Sequence, residues 1–243
     1  MSYETDVDDI ITVQAGLAEF WSNAHGWAPA DGAALLASAR LDWTPSLARS
    51  LHRWAQPVAL ADGDLILAWA NLGSILESSL RLFLGVYITD YQNSREDLEA
   101  INAIEQRGAN QGQPYPPSSI QFEKIRQLLS RREIFPANDL IFIGLVQSRR
   151  NAIHAFNNRE IGSTEEFRSA VATYRVFIAE LATRLPYPDE FGFHWLDRAS
   201  SIRVVAHNRI PRNPTPIGVG RPSRARQSTA NTKSATPRGS EDR

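Results

Sequence analysis

The sequence predicts an all-α protein, a helical bundle, on three observations. Apolar residues recur at spacings of three and four along most of the chain, and no stretch sustains the alternation of a half-buried strand. The interruptions fall at clusters of Pro, Gly and Asn. With 42% hydrophobic and 22% charged residues over 243 positions, the composition is globular and sufficient for one sizeable core.

Taken in order, the apolar pattern predicts a first helix from about Val7 to His25, with Ile10, Ile11, Leu17, Phe20 and Trp21 on its buried face. A short helix over Gly32 to Arg40 follows. Thr44-Pro45 has the pattern of an N-cap followed by proline at the first helical position, opening a helix with Leu47, Leu51 and Trp54 that stops near Pro57. The longest helix is expected from about Asp64 to Tyr91, where Leu65, Trp69, Leu72, Leu76, Leu80, Phe83 and Tyr87 make a wide stripe. The Gly- and Pro-rich run from Arg107 to Ser119 reads as a loop, and a helix from Ser118 to about Arg132 follows it.

Pro136-Ala137-Asn138-Asp139 opens a helix expected from Asp139 to about Phe156. Ser163-Thr164-Glu165-Glu166 is a capping box, and the helix behind it carries Phe167, Val171, Tyr174, Ile178, Leu181 and Leu185 up to Pro186-Tyr187-Pro188. Phe191, Phe193 and Trp195 suggest a packed strap, and the Arg-, Pro- and Ser-rich run from about Pro211 is too poor in apolar residues to order itself. The expected organisation is an N-terminal helical extension (1–60), a helical bundle (61–190), a strap (191–210) and a disordered basic tail (211–243).

The net charge of −1 conceals an asymmetry. From Arg198 onward ten Arg or Lys face only Glu241 and Asp242, a net of +8, which leaves −9 on the rest. An acidic body with a basic tail suggests shielding within the chain or a polyanionic partner. Cysteine is absent, which excludes disulfides and thiolate metal sites and fits a cytoplasmic location. The N-terminus carries Glu4, Asp6, Asp8 and Asp9 where a secretory signal would be basic and then apolar. The most apolar stretch, Leu65 to Ile88, is interrupted by Asn71, Glu77 and Arg81, so a buried helix rather than a membrane span is expected.

The run Arg149-Arg150-Asn151-Ala152-Ile153-His154 carries the chemistry. On a continuous helix Arg150 and Asn151 share a face with His154, four and three residues on, while Arg149 lies about 140° round from it. One explanation is electrostatic, since cations are favourable by roughly 0.3–1 kcal/mol each at a helix C-terminus. The other is catalytic. A guanidinium fork binds phosphate oxygens and steadies developing charge, and an imidazole, ordinarily titrating near pH 6.5, takes or gives a proton at a ribose hydroxyl. That chemistry requires no metal and no cofactor, and His25, His52, His194 and His207 form no ligand pair at helical spacing.

Arg149, four intervening residues and His154, with the polar Asn151 between them, resemble the signature of the HEPN superfamily (higher eukaryotes and prokaryotes nucleotide-binding). The likeness covers roughly Asp62 to Pro188. It implies a HEPN-like bundle acting as a metal-independent endoribonuclease that leaves 2′,3′-cyclic phosphate ends, with two boxes facing each other across a homodimer cleft. It further implies a toxin–antitoxin, stress or phage-defence setting, with RNA and an antitoxin or other protein as partners. Carried over, Arg149 takes the family's arginine role and His154 its histidine role; beside them Asn151 is read as a catalytic residue that positions the phosphate, and Arg150 and Glu77 as substrate-binding. The family's polar residue normally follows its arginine directly, and here that slot holds Arg150. Helical geometry favours Arg150 as the working arginine and the family spacing favours Arg149, and Arg149 is the expected one. A non-catalytic module binding nucleotide, RNA or protein through the same box is the alternative.

Glu77 and Arg81, four apart on an apolar helix, read either as a mutual ion pair or as Glu77 reaching across the bundle to orient His154 or hold Arg149. The six tryptophans read as core, since most fall on apolar stripes. The basic tail is a solvated arm or an electrostatic trap for RNA.

Overall fold

The first helix starts where a cap puts it, not where the apolar stripe begins. Ser2 accepts the Thr5 N–H through its hydroxyl, and Glu4 and Asp6 sit in the positive first turn, so α1 runs Tyr3–Trp21. The computed structural model describes residues 1–56, 58–154, 158–188 and 192–209. Among them the fold is all-α: ten helices, no strand, and one isolated antiparallel bridge between Ile104 and Pro114. After α1 come α2 (Ala30–Ser38), α3 (Trp43–Ser50), α4 (Asp62–Val86), α5 (Ile88–Asn93), α6 (Arg95–Ala100), α7 (Phe122–Arg131), α8 (Ala137–Arg150), α9 (Thr164–Thr183) and α10 (His194–Arg209). No helix among the described residues is long and apolar enough to cross a membrane.

The long helix α4 is the central wall. It packs on α2, α3, α8 and α9, while α9 also takes α1 and α10. Trp69, Leu72, Leu76 and Leu80 of α4 and Phe167, Val171 and Ile178 of α9 are wholly buried between them. The helices that carry Glu77, Arg150 and Tyr174, which are α4, α8 and α9, pack against one another.

Two buried polar clusters tie α1 into this core. Gln14 donates its amide to Ser79 Oγ (2.9 Å) and to Tyr174 Oη, and those two hydroxyls lie 2.9 Å apart. Ser79 sends its own proton to the Ile75 carbonyl (3.0 Å), which leaves Tyr174 to donate to Ser79 and so satisfies every hydroxyl. Nearer the start of α1, Arg175 pairs with Asp6 (2.8 Å) and Asp9 (3.2 Å), and Arg198 of α10 meets Asp9 at 2.6 Å.

Several elements differ from expectation for identifiable reasons. Thr44 does not cap α3: it is buried inside the first turn, and Asp42 at the cap position is instead held by Arg40 at 2.7 and 2.9 Å. The helix expected to reach Tyr91 breaks at Tyr87 (φ −95°, ψ 40°), whose hydroxyl donates to the Arg184 carbonyl. α7 begins after Ser118 because Arg81 captures the carbonyls of Pro117, Ser118 and Ile120, holding them out of a helical turn. The expected strap is a helix over 194–209, with Trp195, Ala199 and Ile202 buried at spacings of four and three. Trp21, Trp69 and Trp195 are core residues and Trp54 is half-buried, but Trp27 and Trp43 are more than half exposed. Phe191, the helix end expected at Phe156 and the tail 211–243 lie outside the described residues.

Candidate active site

α8 does not carry the whole box. It ends at Arg150, Asn151–Ile153 form a single 3₁₀ turn, and His154 leaves the helical region (φ −85°, ψ 75°) with its N–H on the Asn151 carbonyl. A 3₁₀ turn advances about 120° per residue instead of 100°, so the face shared by Arg150 and His154 is set by this turn and not by an i,i+4 step. Ala152 is buried beneath the turn, and Ile153 and His154 project into solvent.

The two arginines go opposite ways. Arg149 turns toward the start of α9, where Nε and Nη2 donate to the two Glu166 oxygens (2.8 and 3.3 Å) and Nη1 donates to the carbonyl (2.8 Å) and carboxylate (3.1 Å) of Glu160. These bonds, that to Glu166 above all, hold the Arg149 pKa above the ordinary arginine range. Ser163 caps α9 by accepting the Glu166 N–H, but Glu166 spends its carboxylate on Arg149. The capping box is therefore answered by an arginine from the neighbouring helix.

Arg150 turns toward α4. Its aliphatic stem crosses Gly73, where an added Cβ would stand 2.6–2.8 Å from three of its carbons. Nη1 then meets Glu77 at 2.6 Å, and the guanidinium lies 5.5 Å from the centroid of the Phe122 ring. Glu77 is only 13% exposed and is shared, its other oxygen lying 2.6 Å from Arg81. Two guanidiniums against one carboxylate leave this cluster with an excess positive charge.

Arg150, Asn151, Ile153 and His154 line one open cleft of about 680 Å³ with Ser74, Glu77 and Arg81 of α4 and Phe122 and Glu123 of α7. Glu123 is held by Arg126 (2.6 and 3.0 Å), and that bond keeps its carboxyl below the usual range. Glu123 thus faces the cleft already neutralised.

Of the residues expected in the site, the cleft gathers Arg150, Asn151, His154 and Glu77, and Arg149 is not among its lining residues. Glu77 holds Arg150, not Arg149, and among the described residues no hydrogen bond joins it to the His154 ring. Its pairing with Arg81 is also present. Gly73, Phe122 and Glu123 escaped the sequence reading. The available signal was Gly73, a glycine inside an apolar helix, which marks a close approach by a neighbour. Among the described residues no group of three His, Asp or Glu is arranged to hold a metal ion. No protein-family model, curated protein or solved structure matches the chain.

Proposed function

We propose that this cleft is the reaction centre of a metal-independent endoribonuclease of the HEPN type, with Arg150 rather than Arg149 on the scissile phosphate. The observation that carries the proposal is the convergence of Arg150, Asn151 and His154 on one open cleft while Arg149 is bound elsewhere. A ribose 2′-oxygen attacks the adjoining phosphorus and the P–O5′ bond breaks, giving a 2′,3′-cyclic phosphate and a free 5′-hydroxyl. An exposed imidazole at His154 accepts the 2′-proton. The departing 5′-oxygen needs a proton from a second acid, which the His154 of a facing copy supplies in a homodimer. Arg150 steadies the charge on the phosphorane, with Glu77 and Gly73 fixing its fork and stem. Asn151 positions a non-bridging oxygen.

The experiment is incubation of the full chain with unstructured RNA in EDTA, followed by analysis of the product ends. Cyclic phosphate and 5′-hydroxyl ends are expected. Intact RNA overturns the proposal.

A second reading is favoured by the carboxylate partners that both guanidiniums already carry. On it, Arg149 and Arg150 latch α8 to α9 and α4, and the cleft binds nucleotide, RNA or protein without cutting. Intact RNA together with RNA binding that weakens in Arg150→Gln distinguishes this reading from the first.

A further inference from the structure

Away from the His154 cleft, a second cavity of about 530 Å³ opens between the end of α1 and the start of α10. Its walls are aromatic. Phe20, Phe193 and Trp195 form a continuous cluster, with centroids 5.3 Å apart between Phe20 and Phe193 and 5.6 Å between Phe193 and Trp195. Trp27 lines the cavity as well but is 51% exposed, its ring facing solvent where a core tryptophan would be covered. The arrangement is enforced by Gly16, since a Cβ there would fall 2.1–2.5 Å from the Trp195 indole. Glycine lets that ring settle against α1 and form the floor.

One further wall residue decides the chemistry. Glu19 contributes an exposed carboxylate, and among the described residues it makes no ion pair. Among the described residues that line the cavity none is lysine or arginine, and His194 is the one imidazole. Aromatic faces carry the negative lobe of the ring quadrupole, so the three rings that reach solvent (Phe20, Trp27 and Phe193), above a buried Trp195, and an exposed carboxylate favour a cation. A primary ammonium would have to shed strongly held water to touch the rings. A methylated ammonium instead presents methyl groups that gain from apolar contact, while its charge spreads over them. A volume of this size suits a small ligand head group.

We infer that the cavity formed by Phe20, Trp27, Phe193, Trp195 and Glu19 is a binding site for a trimethylammonium group, independent of the chemistry at His154. The test is a titration of the full chain with choline and, in parallel, with 3,3-dimethylbutan-1-ol, which has the same shape with carbon in place of the charged nitrogen. Binding is read by tryptophan fluorescence and by calorimetry. Choline is expected to bind about tenfold more tightly than its neutral isostere. Trp27→Ala and Glu19→Gln each weaken choline several-fold and leave the isostere little changed in the Glu19 variant. Both substitutions are at exposed positions, so folding is preserved and is checked by the unfolding midpoint. Equal affinity for choline and isostere, undiminished choline binding by both variants, or no binding of choline at millimolar concentration overturns the inference.

Discussion

His154 projects into solvent from a 3₁₀ turn and packs against little, so its replacement reports on chemistry without disturbing the core. The arginines beside it are different. Arg149 joins α8 to the start of α9 through four hydrogen bonds, two of them to the partly buried Glu166. Arg149→Gln is expected to lower stability by about 1–2 kcal/mol, a loss read by urea denaturation, while RNA cleavage per folded molecule stays within about twofold. On the proposed function Arg150→Gln is expected to do the reverse, cutting the cleavage rate by about a hundredfold or more. A variant pair with these effects exchanged would return the role to Arg149.

A third residue carries a pH signature. Asp139 lies in the first turn of α8 with one carboxylate oxygen buried and unpartnered, and burial, reinforced by Glu180 and opposed by Arg184, pushes its pKa up to about 6. The unfolded chain holds this group near its ordinary value of about 4, so between those values the folded state binds more protons. Stability therefore falls as pH rises through that window and the penalty persists above it. Asp139→Asn is expected to raise the unfolding midpoint at pH 8 and leave it nearly unchanged at pH 4. Equal effects at the two pH values contradict the assignment.

Among the helices, the contact of α8 with α4 determines where the Arg150 side chain sits. Gly73 is the position where that contact has no slack. Gly73→Ala gains up to about 1 kcal/mol of helix propensity but places a methyl against the Arg150 stem, an overpacking that costs about 1–3 kcal/mol and shifts the guanidinium from Glu77. The expected outcome is a modest loss of stability with a much larger loss of cleavage. A loss of cleavage no greater than that of folded protein would show that Arg150 is not held in place by this contact.

At the same scale, the helices themselves were legible wherever an apolar period ran for several turns, as in α1, α4 and α9. Their ends were legible only where a side chain announces them, as Ser163 does for α9. The change from α-helix to 3₁₀ turn at Asn151 left no mark on the apolar pattern, because only Ala152 of that turn is buried. For the same reason the relation of Arg150 to His154 was foreseen on the wrong geometry. The helix α10 was hidden by its aromatic neighbours, although Trp195, Ala199 and Ile202 already had helical spacing.

For the whole molecule, the all-α class followed from periodicity alone, but the joining of α1 to the rest did not. Gln14, Ser79 and Tyr174 come from three distant parts of the sequence, and a polar residue on an apolar stripe gives no hint of its partners. Removing the Tyr174 hydroxyl takes one acceptor from the Gln14 amide and one donor from Ser79, so Tyr174→Phe is expected to cost about 1–3 kcal/mol. The resulting unfolding should remain a single transition by calorimetry, since α1, α4 and α9 share this buried cluster. Two separated transitions would mean that the N-terminal helices melt independently.

The most direct test of the central claim is the cleavage rate of RNA in EDTA by the full chain and by His154→Ala, at matched concentration of folded protein. A His154 acting in proton transfer predicts a fall of about 10²–10⁴-fold with an unchanged unfolding midpoint. Cleavage by the variant at the parent rate contradicts it.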